Sequence, residues 1–125
     1  MRLAAVALGG AVGAVARYGL SGWVAVATRS SAFPYGTLSV NVIGAAVLGL
    51  VMGTVTSGRW ILPPLARDFL TIGLLGAFTT FSTFSYETVQ ATRLGYDRIA
   101  IANIGVSLIL GLAACWIGLK LGRSL

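Results

Sequence analysis

Four long apolar stretches, separated by short polar connections, make up most of the chain. They run approximately over residues 3–28, 36–56, 69–92 and 99–119. Each is long enough to supply the roughly 20 residues that a helix needs to cross the hydrocarbon core of a bilayer. The pattern therefore predicts an all-α integral membrane protein with four transmembrane helices, forming a single membrane domain over residues 1–125.

The connections carry residues that end helices. A polar turn with Pro34 and Gly36 is predicted at residues 29–36, the pair Pro63-Pro64 ends any helix after the second stretch, and a short connection at residues 93–98 precedes the fourth. Proline and glycine in such short runs are typical of turns. Four spans joined in this way place both termini on one side of the membrane.

The first stretch also resembles a secretory signal, because Arg2 precedes a long apolar run and Ala14-Val15-Ala16 has the small residues of a cleavage site. No soluble protein follows it for secretion. We therefore expect a retained span.

Composition agrees with a membrane location and excludes several classes of function. Hydrophobic residues make up 57% of the chain, the mean hydropathy is +0.90, and only 10% of residues are charged, against about 25% in soluble domains. The chain has no histidine and one cysteine, Cys115. This supply excludes histidine-based catalysis, His/Cys zinc sites and an internal disulfide, so we expect no enzyme.

The nine basic residues, which give a net charge of +6, are scattered rather than clustered. Scattered basic residues mark membrane edges and orientation, so we expect no nucleic-acid partner. Five lie on the side of the termini, and three lie on the other: Arg2, Arg59, Arg67, Lys120 and Arg123 against Arg29, Arg93 and Arg98. This bias is weak, which predicts insertion in either orientation and permits an antiparallel homodimer.

The third stretch is unusual for a lipid-facing helix. It contains Gly73, Gly76 and the hydroxyl-rich run at residues 79–85. One interpretation is a broken third helix, whose free carbonyls would suit a hard cation such as Na⁺. The other is a continuous helix whose hydroxyls bond back to carbonyls one turn earlier. Composition leaves both open.

Phe78, Phe81 and Phe84 recur every three residues, which predicts that they share one helix face. Such a stripe is usually core packing. Here it is interleaved with Thr80, Ser82, Thr83 and Ser85. Phenyl edges are electron-poor and hydroxyls donate hydrogen bonds, so the alternative is an uncharged lining that holds a small anion weakly.

Other polar residues within the stretches have two interpretations each. Asn41, Asn103 and Ser107 either hold helices together or contact a solute. Arg17 either faces an anion vestibule or extends to the interface. Glu87 either pairs with an arginine or marks the end of the third span.

Four segments share their spacing with one known family: Gly9-Gly10-x-x-Gly13-Ala14-x-x-Arg17-Tyr18, Gly36-Thr37-Leu38-x-Val40-Asn41-x-x-Gly44, Gly73-x-x-Gly76-x-x-Thr79-Thr80-Phe81-Ser82-Thr83-Phe84-Ser85 and Asn103-x-x-x-Ser107-x-x-x-Gly111. These segments resemble the Fluc/CrcB fluoride channels, and the third is the most specific. The resemblance covers nearly the whole chain.

The resemblance implies an antiparallel dimer with two fluoride pathways and a central Na⁺ at the dimer interface. The backbone carbonyls of Gly76 and Thr79 from both subunits would hold Na⁺. The pathway would take its groups from the ring edges of Phe81 and Phe84, the amide of Asn41 and the hydroxyls of Thr80, Thr83 and Ser107. Gly111 departs from members that have a hydroxyl there, which leaves the ion track past Ser107 in doubt.

The function implied is passive, fluoride-selective export from the cytoplasm across a bacterial inner membrane. A small proton-coupled multidrug-type exporter is the main alternative, but it would need a carboxylate in the first span, which has Arg17 instead. A non-transporting membrane assembly subunit would leave the third stretch unexplained.

Overall fold

The computed structural model describes residues 1–29 and 32–125, and these residues form helices joined by short turns. Part of the turn predicted at residues 29–36 falls on residues 30 and 31, which lie outside the described residues. Within the described ranges, four helical stretches are long and apolar enough to cross a membrane: Arg2–Ala27, Tyr35–Thr56, Pro64–Arg93 and Asp97–Ser124. The prediction of an all-α chain with four apolar helices is confirmed.

The third stretch consists of four helical pieces rather than one. In chain order they are α3 (Pro64–Arg67), a π-helical segment (Asp68–Leu75), α4 (Gly76–Phe78) and α5 (Phe81–Arg93). Between α4 and α5 the backbone is extended, with φ −84° and ψ 159° at Thr79 and φ −149° and ψ 115° at Thr80. The other three stretches are single helices, α1 (Arg2–Ala27), α2 (Tyr35–Thr56) and α6 (Asp97–Ser124).

Local sequence explains several of these boundaries. Pro64 opens α3 at a first-turn position, where a missing N–H costs nothing. Thr80 caps α5, because its side-chain oxygen accepts a hydrogen bond from the Thr83 N–H at 3.2 Å. Gly58 and Gly95 follow α2 and α5 with φ of 73° and 82°, a conformation that side chains disfavour.

Helices α2 and α6 run parallel and pack closely through two pairs of glycines. Gly49 and Gly53 in α2 lie against the backbone of α6, and Gly118 and Gly122 in α6 lie against the backbone of α2. A methyl group at any of the four would collide with a carbonyl of the facing helix. This mutual fit is the close approach that small residues at i, i+4 allow in a bilayer.

A third glycine pair, Gly9 and Gly13, places α1 against the π-helical segment. Added methyl groups there would meet the backbone of Phe69 and Leu74. The spacing of these pairs in the sequence fits either packing within one subunit or a dimer contact. In the structure all three pairs pack within one chain.

The chain exposes its apolar side chains and buries few. Large hydrophobic residues on all four stretches face outward, among them Leu3 at 86% and Ile109 at 70% exposure, whereas the largest fully buried side chains are Val40 and Asn103. Trp23, Trp60 and Trp116 are also more than half exposed near the helix ends. An outer apolar surface with tryptophans near its edges is what lipid requires.

Candidate functional site

A group of polar residues surrounds the interruption between α4 and α5. A groove of about 360 Å³ opens there between α2, the third stretch and α6. Its lining comprises Asn41, Gly44, Ala45, Leu48, Thr71, Leu75, Gly76, Thr79, Thr80, Phe81, Phe84, Ser107 and Leu108. None of these side chains carries a formal charge. The groove therefore offers amide, hydroxyl, carbonyl and phenyl groups alone.

The Asn41 amide holds the interrupted backbone in place. Its Nδ2 donates to the Thr80 carbonyl at 3.0 Å, and its Oδ1 accepts from the Thr80 N–H at 2.7 Å. Backbone groups that leave a helix inside a membrane need such partners, because each unsatisfied one costs several kcal/mol. An amide NH₂ has two donors, so one N–H of Asn41 remains for the groove.

These hydrogen bonds release two backbone carbonyls. In a continuous helix the Thr80 N–H would bond to the Gly76 carbonyl, but here it donates to Asn41. Likewise the Thr83 N–H donates to the Thr80 hydroxyl rather than to the Thr79 carbonyl. The carbonyls of Gly76 and Thr79 thus lose their helical donors, and carbonyl oxygens freed in this way are good ligands for Na⁺.

The hydroxyls at the start of α5 form one connected group. The Thr80 Oγ1 accepts from the Thr83 N–H and donates to the Thr83 Oγ1 at 3.0 Å, and it lies 3.3 Å from the Ser82 Oγ. Because a hydroxyl proton rotates, such a group can turn its donors toward an anion and back.

The phenyl groups do not follow the single stripe predicted from their spacing. Phe81 and Phe84 line the groove with ring centroids 5.6 Å apart and rings tilted by 42°. Phe78 is buried on α4, beside Gly44. The prediction that all three share a helix face was wrong, because the extended residues Thr79 and Thr80 change the helical register between Phe78 and Phe81.

On α6, Ser107 and Asn103 differ in exposure to the groove. Ser107 lines the groove and donates to the Asn103 Oδ1 at 3.2 Å. Asn103 is 2% exposed, and its Nδ2 donates to the Thr88 hydroxyl on α5 at 2.8 Å. Asn103 therefore joins α5 to α6. Its hydrogen bond with Ser107 holds the Ser107 side chain at the wall of the groove.

Two of the residues predicted for the ion pathway lie outside this groove. Arg17 and Thr83 line a neighbouring cavity of about 250 Å³, which shares Thr80 with the groove. Arg17 is partly buried there, and no ion pair holds it among the described residues. The neighbouring cavity thus contains the positive charge of Arg17, and Thr80 lines both this cavity and the uncharged groove.

Among the described residues, Glu87 does not form the arginine pair that was one of the two interpretations of it, and it lies in the middle of α5. Its Oε1 accepts a hydrogen bond from the Thr37 hydroxyl at 2.8 Å, and within the described residues its buried Oε2 has no partner. Both residues line a further cavity of about 380 Å³ with Thr83. The ion pair that the described residues do form joins Arg2 to Asp68, at the starts of α1 and the π-helical segment.

The sequence reasoning missed several lining residues. Ala45, Leu48 and Leu75 carried no chemical signal, since small and aliphatic residues are ordinary in a membrane helix, and Gly44 was only a spacing position of the second motif. Thr71 did carry one, as a hydroxyl in an otherwise apolar run. Thr71 was not predicted as a site residue, because it lies eight residues before the hydroxyl-rich run at residues 79–85.

Comparison with known proteins identifies a family. A family model described as CrcB-like protein, camphor resistance (CrcB), matches residues 4–119. It covers parts of all four apolar helices, including the whole groove.

Curated relatives match over almost their full length. The chain is 48% identical to the fluoride-specific ion channel FluC 2 of Symbiobacterium thermophilum, covering 95% of each chain. It is 46% identical to the fluoride-specific ion channel FluC of Magnetococcus marinus, covering 98% of each, and 45% identical to that of Geobacter metallireducens, covering 100% of this chain and 99% of the relative.

Proposed function

The chain belongs to the CrcB-like protein family, and from this premise we propose that it is a fluoride-selective channel that lets fluoride leave the cytoplasm passively. The observation that carries the proposal is the uncharged groove at the interrupted third stretch. Its hydroxyls, amide and phenyl edges offer a small anion partial positive charge without a fixed cation. Such a lining binds an ion weakly enough to release it, as conduction requires.

The direction of transport follows from chemistry outside the protein. Fluoride enters from acidic surroundings as the neutral acid and loses its proton in a more alkaline cytoplasm. An inside-negative membrane potential then drives the anion outward, with about 2.3 kcal/mol per charge for each 100 mV. A passive pore is sufficient, and no nucleotide needs to be consumed.

We propose these roles for the residues at the site. Phe81 and Phe84 present ring edges to the ion, Asn41 contributes its remaining N–H, and Thr80 and Ser107 contribute hydroxyls. Arg17 and Thr83 line the neighbouring cavity, where a positive charge would attract fluoride toward the groove.

The pathway is proposed to be completed by a second copy of the chain in the antiparallel orientation. Phe81 is 78% exposed in one chain, and Gly76 in the same groove is also exposed. The three glycine pairs are already used within the chain. The open side of the groove therefore supports a partner there, and the weak charge bias of five against three permits opposite insertion.

Na⁺ is proposed to bind at the centre of this dimer. The carbonyls of Gly76 and Thr79 fit the ion, because hydrogen bonds to Asn41 and Thr80 have removed their helical donors. Two copies of the chain would supply four carbonyl oxygens. The bound cation would supply a positive charge that holds the two interrupted segments together.

A proton-coupled exporter is not favoured. It would need a carboxylate in the first span, and α1 contains none. The described lining of the groove contains no carboxylate, and Glu87 on α5 accepts a hydrogen bond from Thr37.

The test is fluoride efflux from proteoliposomes that contain the purified dimer. A fluoride electrode reads the release, valinomycin sets the potential, and chloride-loaded vesicles are the selectivity control. We expect fast, voltage-driven release of fluoride and none of chloride. Absence of fluoride release from well-folded dimers would refute the channel.

A site variant sharpens this test. Phe81→Ile keeps an apolar side chain but removes the phenyl edge, so we expect efflux to be strongly suppressed while dimer assembly is retained. Phe69→Ile, at a phenylalanine outside the groove, is the matched control and should conduct. Normal flux through Phe81→Ile would refute the assignment of the phenyl pathway.

A further inference from the structure

Thr71 is a hydroxyl residue in the groove that neither the sequence reasoning nor the proposed function uses. It lies in the π-helical segment, eight residues before Thr79. Eight residues are about two helical turns, so Thr71 lies well apart from the interruption along the span. The groove thus continues past the interruption toward the Pro64 end of the third stretch.

The other lining residues at this end are aliphatic. Thr79 lies beside Gly44 on α2, and Leu48 is one turn further along that helix. Ala45, Leu48 and Leu75 offer an ion no hydrogen bond. Of the polar side chains that line the described groove, Asn41, Thr80 and Ser107 belong to its other part. Thr79 lies at the interruption itself, where its hydroxyl donates to the Leu75 carbonyl at 3.1 Å, and Thr71 is the polar side chain beyond it.

The Thr71 hydroxyl matters because α6 has no side-chain donor at Gly111. Gly111 follows Ser107 by one turn of α6 but has no side chain, and it does not line the groove. No atom lies within 4 Å of the position that its Cβ would take in the protomer. An ion moving beyond Ser107 therefore finds no donor from α6 at the next turn.

The Thr71 hydroxyl is placed to supply the missing donor. This hydroxyl donates to the Arg67 carbonyl at 2.9 Å, and the residue is partly exposed and lines the groove. A hydroxyl proton is a free rotor, so it can turn from that carbonyl to an anion. Thr71 also lies in a π-helical segment, and π-helical geometry is rare and frequently found at functional sites.

We propose that the Thr71 hydroxyl contacts fluoride and continues the ion track from Ser107 toward the Pro64 end of the third stretch. This inference rests on the proposed function and adds one residue to its pathway. The track then changes helix, from α6 at Ser107 to the π-helical segment at Thr71.

The test compares three variants in the fluoride-efflux assay, with flux expressed per reconstituted dimer. Thr71→Val replaces the hydroxyl by a methyl group of similar size, and Thr71→Ser keeps the hydroxyl. Thr56→Val is the matched control, because the Thr56 hydroxyl also bonds back one turn, to the Met52 carbonyl at 2.7 Å, but lies outside the groove. Thr71→Ala serves as a second variant if Thr71→Val does not assemble.

We expect Thr71→Val or Thr71→Ala to lower fluoride flux roughly three- to tenfold, the range of one hydrogen bond. Thr71→Ser and Thr56→Val should stay near the wild-type flux, and all variants should elute as dimers. Wild-type flux through Thr71→Val, or a loss in Thr71→Ser equal to that in Thr71→Val, would overturn the inference and leave the channel intact. A wild-type protein that releases no fluoride would refute the proposed function itself.

Discussion

At the scale of single residues, Asn41 has a structural role in the protein and a transport role that we propose. One side of its amide pairs with both backbone groups of Thr80, and the second N–H remains for the groove. The same pairing takes the Thr80 N–H away from the Gly76 carbonyl. One side chain thus shapes the groove, satisfies the interrupted backbone and frees a carbonyl that we propose as a ligand for Na⁺.

Replacing Asn41 by aspartate tests this combination. Asn41→Asp removes the N–H that the Thr80 carbonyl accepts and sets a carboxylate against that carbonyl. An unpaired buried acceptor costs about 1–3 kcal/mol, so we expect fluoride flux to fall by at least roughly tenfold. Efflux and size-exclusion chromatography measure the two effects, and the dimer should persist because α2 still packs on α6.

Ser39→Ala is the control, since the Ser39 hydroxyl donates within its own helix, to the Tyr35 carbonyl at 2.7 Å. It should conduct like the wild type. A conducting Asn41→Asp protein would contradict the role given to the amide.

At the scale of helices, glycine pairs decide which elements touch. Gly49 and Gly53 lie against the backbone of α6, and Gly118 and Gly122 lie against the backbone of α2, while Gly9 and Gly13 place α1 on the π-helical segment. The hydrophobic effect does not drive helices together in lipid, because lipid tails are as apolar as the side chains. Close van der Waals contact between backbones therefore stabilises the helix pairs. These contacts place Asn41 on α2 and Ser107 on α6 along the same groove.

Gly118→Ala tests the α2–α6 contact. The added methyl group would collide with the Ala46 carbonyl and the Leu50 N–H, so the helices must move apart. Overpacking of this kind costs about 1–3 kcal/mol. We expect a lower temperature of thermal aggregation in detergent and a smaller dimer yield.

Gly105→Ala on the same helix is the matched control, because no atom lies within 4 Å of its Cβ position in the protomer. Alanine also favours a helix over glycine by up to about 1 kcal/mol. The control should be at least as stable as the wild type, and equal loss in both variants would argue against the glycine contact.

At the scale of the whole molecule, the chain has a face that remains open. Its apolar outer surface suits lipid, but the groove brings exposed Gly76 and Phe81 together with polar hydroxyls. Polar groups in a bilayer are tolerated where protein or a water-filled cavity covers them. A second chain in the opposite orientation provides that cover in our proposal.

Insertion in both orientations is the expected result for the molecule as a whole. With five basic residues on one side and three on the other, neither orientation is strongly preferred. Tags at the N-terminus and at the C-terminus should each be accessible from both faces of the membrane. A single strict orientation for both tags would rule out the antiparallel homodimer.

The family and the identity of the candidate residues were largely predictable from the sequence. The run from Gly73 to Ser85 indicated the third stretch as the site, and the family comparison confirmed the resemblance. The structure places Asn41, Gly76, Thr79, Thr80, Phe81, Phe84 and Ser107 around one groove. Arg17 and Thr83 line the neighbouring cavity instead, because helical faces that are adjacent in a pattern can open to different sides of a bundle.

The sequence by itself determined that the chain lies in a lipid bilayer and how many times it crosses it, because length and apolar content alone decide whether a helix can span the membrane. It also determined the chemistry available, since a chain with no histidine and three acidic residues has few charged groups to use. Only the tertiary structure decided which groups meet. Contacts between distant segments decide three features: the Asn41–Thr80 pair, the separation of Phe78 from Phe81 and the place of Thr71 in the groove. Periodicity along one helix carries no information about the helices that pack against it.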